Sequence, residues 1–178
     1  MAGNNVKSEQ DAVVVEIEIA ASPSRVFQAL TDQKQLFSWW STEPSVELTR
    51  FEMSPNQGGS WRFTCKARAG RDHGEVGRQM ETTGAAEFEA YGEVVESVPP
   101  RLLVWSWIAN WHDRPQQTTF VHWELEPTET GTRVRVTHSG LAGLPVARQD
   151  YGKGWQGVVQ LLRDFLEAVA QKSPGSAA

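Results

Sequence analysis

Residues 151–170, YGKGWQGVVQLLRDFLEAVA, decide how the rest of this chain is arranged. From Trp155 onward, apolar side chains recur at Val158, Val159, Leu161, Leu162, Phe165, Leu166 and Val169. Steps of three and four residues, sustained for about four turns, describe an amphipathic helix with one wide apolar face. Gly152 and Gly154 loosen its beginning, and Ser173-Pro174-Gly175 stops it. Such a helix needs an apolar surface to cover, and the segments before it read as strands. The chain therefore predicts an α+β fold. A curved antiparallel sheet of about seven strands grips the C-terminal helix, with an apolar pocket between them.

Working back toward the N-terminus, residues 13–19 alternate and place Val13, Val15, Ile17 and Ile19 on one face of a first strand. Ser22-Pro23 joins a capping residue to a proline at a helix start, with Val26, Phe27 and Leu30 on the apolar side. Asp32 caps a second short helix that ends near Trp39-Trp40. A strand follows at residues 46–53, then turn chemistry at residues 55–59. The next strand, residues 60–65, has Trp61, Phe63 and Cys65 on one side. Residues 66–83 are polar and glycine-rich and read as an extended loop, a surface insertion or a rim. A longer strand at 85–98, bent at Gly92, leads through Pro99-Pro100 to a strand at 101–108, where Leu103, Trp105 and Trp107 share a face. Residues 110–117 form a polar loop around Trp111. Residues 118–126 bring Val121, Trp123 and Leu125 together, and residues 132–139 do the same for Val134, Val136 and His138. Residues 1–12 are expected to be a disordered lead-in, 13–171 a single domain and 172–178 a disordered tail.

The composition is that of an ordinary folded protein, 39% hydrophobic and 22% charged over 178 residues, except for its eight tryptophans. Tryptophan supplies large rigid apolar area with one N–H, which suits a core or a cavity wall equally. The net charge of -5, without a Lys/Arg cluster, argues against nucleic acid and anionic membrane as partners. The single cysteine allows neither an intrachain disulfide nor a multi-thiolate metal site. No apolar run reaches the ~18 residues of a membrane span, and the N-terminus has no apolar leader segment. A soluble cytoplasmic protein is the expectation.

Several local phrases in this order resemble the SRPBCC (START-type) helix-grip superfamily. They are residues 19–27 after the first strand, Trp39-Trp40, Gly58-Gly59-Ser60-Trp61, and residues 92–96 with Pro99-Pro100-Arg101-Leu102. Gly131-Thr132-Arg133-Val134, residues 137–141 and Gly154-Trp155 complete the set. Within the superfamily the chain is similar to the branch of the activator of heat-shock protein 90 ATPase. The resemblance spans about residues 13–170 and implies the helix-grip fold. It implies no single activity, since members bind different apolar molecules and only some are enzymes. Residues 66–83 are longer than the hairpin the resemblance implies there.

If the sheet wraps the helix, Trp61, Phe63, Trp105, Trp107, Val121, Trp123 and His138 converge on its inner face. Trp155 and Val159 close the pocket from the helix, and Trp39 and Trp40 sit at its mouth. The competing reading has these side chains filling the interior. His138 shares parity with Val134 and Val136, so it is the candidate polar group, as a ligand-orienting imidazole or a general base. The alternative is a histidine hydrogen-bonded in the core. His122 has outward parity, and His73 and His112 lie in predicted loops. No metal-ligand spacing, nucleophile motif or phosphate loop is present, so no cofactor is expected. The leading expectation is a protein that binds or carries a small apolar or aromatic molecule. A cavity enzyme using His138 (cyclase, dehydratase or hydrolase type) is the second. A co-chaperone-like module, with a chaperone or a second copy as partner, is the third.

Overall fold

The computed structural model describes residues 11–172. The expected lead-in and tail, and the stop at Ser173-Pro174-Gly175, therefore lie almost wholly outside the described residues. Alternation makes the first strand, β1 (Ala12–Ile19), with Glu16 and Glu18 turned outward. Ser22 Oγ accepts from the Arg25 N–H at 3.2 Å and starts α1 (Pro23–Thr31), with proline in the first turn. Asp32 Oδ1 accepts from the Gln35 N–H at 3.0 Å and starts α2 (Gln33–Trp40). These two helices carry the chain from one edge of the sheet to the other, where β2 (Val46–Met53) and β3 (Ser60–Ala67) form a hairpin. The remaining strands are β4 (Phe88–Val98), β5 (Leu102–Ala109), β6 (Thr119–Pro127) and β7 (Thr132–Ser139).

All seven strands form one antiparallel sheet in the order β1-β7-β6-β5-β4-β3-β2. Register shifts at Leu48/Arg50 and Val94/Glu96 mark β-bulges, which strengthen local twist and curl the sheet. The bend expected at Gly92 thus comes two residues later. Gly92 has a different duty: a Cβ there would stand 1.9 Å from the Ser106 carbonyl oxygen of β5. Only glycine permits that approach.

Two expectations are corrected. Residues 66–83 are no extended loop: β3 runs to Ala67, and Gly74–Thr83 forms a helix, α3. It buries just Val76 and Met80, spaced i, i+4, and ends at Gly84 with φ 70°. Two apolar residues in ten, interrupted by Gly77, leave almost no periodic signal. The last helix, α4 (Pro145–Lys172), begins six residues before the expected Tyr151. Its first turn is capped from a distance, because the Asp113 carboxylate accepts from the N–H groups of Val146 and Ala147 at 3.1 and 3.0 Å. A cap 33 residues away leaves no trace in the local sequence.

Along α4, Ala147, Tyr151, Trp155, Val159, Leu162 and Leu166 are buried against the sheet. Gly152, Gly154 and Gly157 interrupt the helix at about 1 kcal/mol each relative to alanine. None is required by packing, since a Cβ at any of the three would meet nothing within 4 Å. No helix among the described residues is long and apolar enough to cross a membrane.

Candidate functional site

The inward faces of β3, β5, β6 and β7 deliver the aromatic residues that alternation places there, but at different depths. Trp61, Trp105, Trp107 and Trp123 are each at most 2% exposed. Trp61 lies between Trp105 and Trp107, with ring centroids 5.3 and 4.7 Å away. Its N–H donates to the Ser106 carbonyl at 3.0 Å, across the gap that Gly92 leaves open. Trp123 meets Trp105 and Trp155 edge-on. Trp39, expected at the mouth, is fully buried and donates to the Ala29 carbonyl at 2.9 Å. Val121 and Val159 are likewise core residues. Trp39, Trp61, Trp105 and Trp123, the half of the indoles absent from any cleft lining, fill the interior.

The other half borders a cleft of about 680 Å³, framed by β2, β3, α3 and the first half of α4. Of the expected site residues, Trp40, Phe63, Trp107 and Trp155 line it. Trp40 contacts Phe63 and Trp155, and Trp107 contacts Phe63 and Trp155, so the four rings form one connected wall. Three further rings join them: Phe88, Trp111 and Tyr151. Sequence reasoning did not select these, although Tyr151 stands four residues before Trp155 and hence on the same helical stripe. Trp111 and His112 sit in what reads as a polar loop, yet both are buried, at 7% and 2% exposure.

Behind the wall runs a chain of buried polar groups. The Trp155 N–H donates to His138 Nδ1 at 3.0 Å, so the imidazole proton resides on Nε2 and is shared with Thr119 Oγ1 at 2.7 Å. Thr119 then donates to the Trp107 carbonyl at 3.1 Å. Both nitrogens of His138 are engaged, and the ring does not reach the cleft lining. Burial, then the neighbouring His112, holds its pKa well below the usual 6.5. A second chain centres on Tyr151, whose oxygen accepts from the Trp107 N–H at 2.9 Å and lies 2.7 Å from His112 Nε2. The Tyr151 hydroxyl thus joins the Trp107 indole to the His112 imidazole. Burial lowers the His112 pKa to about 4, against the opposing pull of the Gln117 backbone and Asp113. Burial raises the Tyr151 pKa well above 10.

The rim is charged and more acidic than basic, with Glu43, Asp72, Glu75 and Asp150 against Arg78 and Lys153. Glu75 is held by Arg78 at 2.7 Å. Asp150 keeps exposed surface at the mouth, yet loss of water raises its carboxyl pKa, against the pull of His73 and Lys153. Cys65 also lines the cleft, but burial first, with Glu43 and Glu87 adding, pushes its thiol up to about 12. It is protonated at neutral pH and a poor nucleophile. Among the described residues no group of three or more His, Cys, Asp or Glu could hold a metal ion.

Solved structures share this architecture. A Nitrosomonas europaea protein is 18% identical at a TM-score of 0.70, with 92% of this chain and 99% of that one covered. A Rhodobacter sphaeroides protein is 19% identical at 0.68, with 92% and 95% covered. An AHSA1-like protein from Aeromonas hydrophila is 18% identical at 0.64, with 91% and 96% covered. At these identities the likeness is one of fold. No curated protein matches the chain. The family profile described as Activator of Hsp90 ATPase homolog 1-like protein matches residues 20–167, most of the chain, and the protein therefore belongs to that family, within the SRPBCC fold.

Proposed function

We propose that the protein binds a small apolar or aromatic molecule in the cleft between β2–β3, α3 and the first half of α4. The observation that carries this reading is the convergence of seven aromatic rings on a cleft of about 680 Å³ whose mouth is open and polar. An aromatic guest that loses about 200 Å² of apolar surface to such a wall gains about 5 kcal/mol, before the costs of immobilisation. An enzymatic role for His138 draws no support from its surroundings. A general base needs a free lone pair within reach of substrate, and here an indole occupies it. Surface docking draws little support either, because the exposed large apolar residues Val14, Phe37, Val95, Phe120 and Val169 stand on five different elements.

Titration with 1-aminoanthracene, a flat apolar fluorophore, tests the proposal. Val158 lines the cleft and is half-buried, so Val158→Lys places a charge there with little damage to the core. Saturable binding to the wild type, weakened at least tenfold in V158K, is the expected result. Failure to bind, or equal binding by both proteins, would remove the reading.

A further inference from the structure

The cleft-facing side of α4 is unusual for a helix in the number of side chains it lacks. Asp150, Gly154 and Gly157 follow one another at i, i+4, i+7 and all line the cleft, beside the core stripe of Tyr151, Trp155 and Val159. Glycine weakens a helix interior, and at both positions a Cβ would enter open space. Packing therefore gives no reason for either glycine. What they provide is about one turn of bare backbone exposed to the cleft, the surface against which a flat molecule can lie closest. Gly152, on another side of the helix, does not line the cleft.

A second observation concerns the same space. Trp111 lines the cleft while only 7% exposed, and its indole N–H has no hydrogen-bond partner among the described residues. The Tyr151 hydroxyl senses that N–H, but the two do not meet in hydrogen-bond geometry. A buried donor left unpaired is costly, so the arrangement favours a guest that brings an acceptor. From Tyr151 to Gly157 the helix rises about 9 Å, at about 1.5 Å per residue, which is the length of two fused rings with a short substituent. Glu43, Asp72 and Asp150 at the rim disfavour a carboxylate as that acceptor.

Resting on the ligand-binding reading above, we infer that the guest is a flat, uncharged aromatic molecule of about two rings bearing a carbonyl or phenolic oxygen. It lies face-on against α4 at Gly154 and Gly157, with its oxygen accepting from Trp111. A methyl group at either glycine would lift the ring away from the helix.

The test uses two fluorescent probes, 6-propionyl-2-dimethylaminonaphthalene and 2-dimethylaminonaphthalene, which lacks the ketone. Wild-type protein is expected to bind the ketone at least tenfold more tightly, and Trp111→Phe to abolish that preference. Gly154→Ala and Gly157→Ala should each raise the melting temperature yet weaken ketone binding at least tenfold. Gly152→Ala should raise the melting temperature and leave binding within twofold. Ketone binding within twofold of wild type in G154A and G157A would overturn the inference and leave ligand binding intact. Equal affinity for the two probes would do the same. Absence of saturable binding of either naphthalene to a wild type that still binds 1-aminoanthracene would overturn the inference alone, and absence of all three would remove both readings.

Discussion

Acid should loosen this fold in a defined window, and His112 sets its size. In the unfolded chain a histidine titrates near 6.5, whereas burial holds folded His112 at about 4. The folded pKa is the lower one, so as pH falls the unfolded chain binds the proton first. The stability that neutral His112 contributes is complete above 6.5 and is lost between 6.5 and about 4, a loss of about 3 kcal/mol. His138 is displaced in the same direction and acts with the same sign. With both histidines neutral in the fold and charged outside it, stability should fall by about 2–3 kcal/mol per pH unit in the middle of the window. Asp150 acts oppositely, since its raised pKa means that its charge costs stability at neutral pH and acid relieves that cost. Urea unfolding at half-unit steps from pH 7 to 4.5, with a constant m-value, reads the slope directly. His112→Gln should remove about half of it between pH 6 and 5. A midpoint that is flat from 6.5 to 5, or an unaltered slope in the variant, would refute the reasoning. So would a native-state imidazole of His138 titrating near 6.5, which would return it to the list of candidate bases.

Three further outcomes follow from single contacts. Trp155→Phe leaves His138 Nδ1 buried without its donor and should destabilise by about 1–3 kcal/mol in urea unfolding; a loss below measurement error would dismiss the hydrogen-bonded chain. Gly92→Ala drives a Cβ to 1.9 Å from the Ser106 carbonyl and should cost at least about 3 kcal/mol, seen as a lower melting temperature; an unchanged melting temperature would mean the two strands are not so close. Cys65, with its thiol pushed up to about 12, should resist Ellman's reagent in the native state and react fully in urea; rapid native reaction would contradict its burial.

Much of the fold can be read from alternation alone. The parity of Trp61-Phe63-Cys65, of Leu103-Trp105-Trp107 and of Val134-Val136-His138 assigns each to the inner face, and a period of two leaves no other choice once one face is buried. The α4 stripe beyond Trp155 is equally explicit. Parity assigns a face, however, and not a depth. Trp105 and Trp107 are two residues apart on one strand, but only Trp107 reaches the cleft. Which indoles end in the core depends on how far the curled sheet stands from α4, and that is decided by residues distant in sequence. The same holds for the first turn of α4, capped by Asp113, and for His112, whose partner Tyr151 lies 39 residues away. The short helix α3 gives no readable period, because two apolar residues are too few to define one.

The eight indole N–H groups offer the most direct test of ligand binding in the cleft. In a two-dimensional ¹H–¹⁵N spectrum, 1-aminoanthracene should shift the signals of Trp40, Trp107, Trp111 and Trp155 and leave those of Trp39, Trp61, Trp105 and Trp123 nearly in place. A spectrum unaltered at saturating dye, or shifts confined to the second group, would contradict a guest seated between the hairpin, α3 and α4.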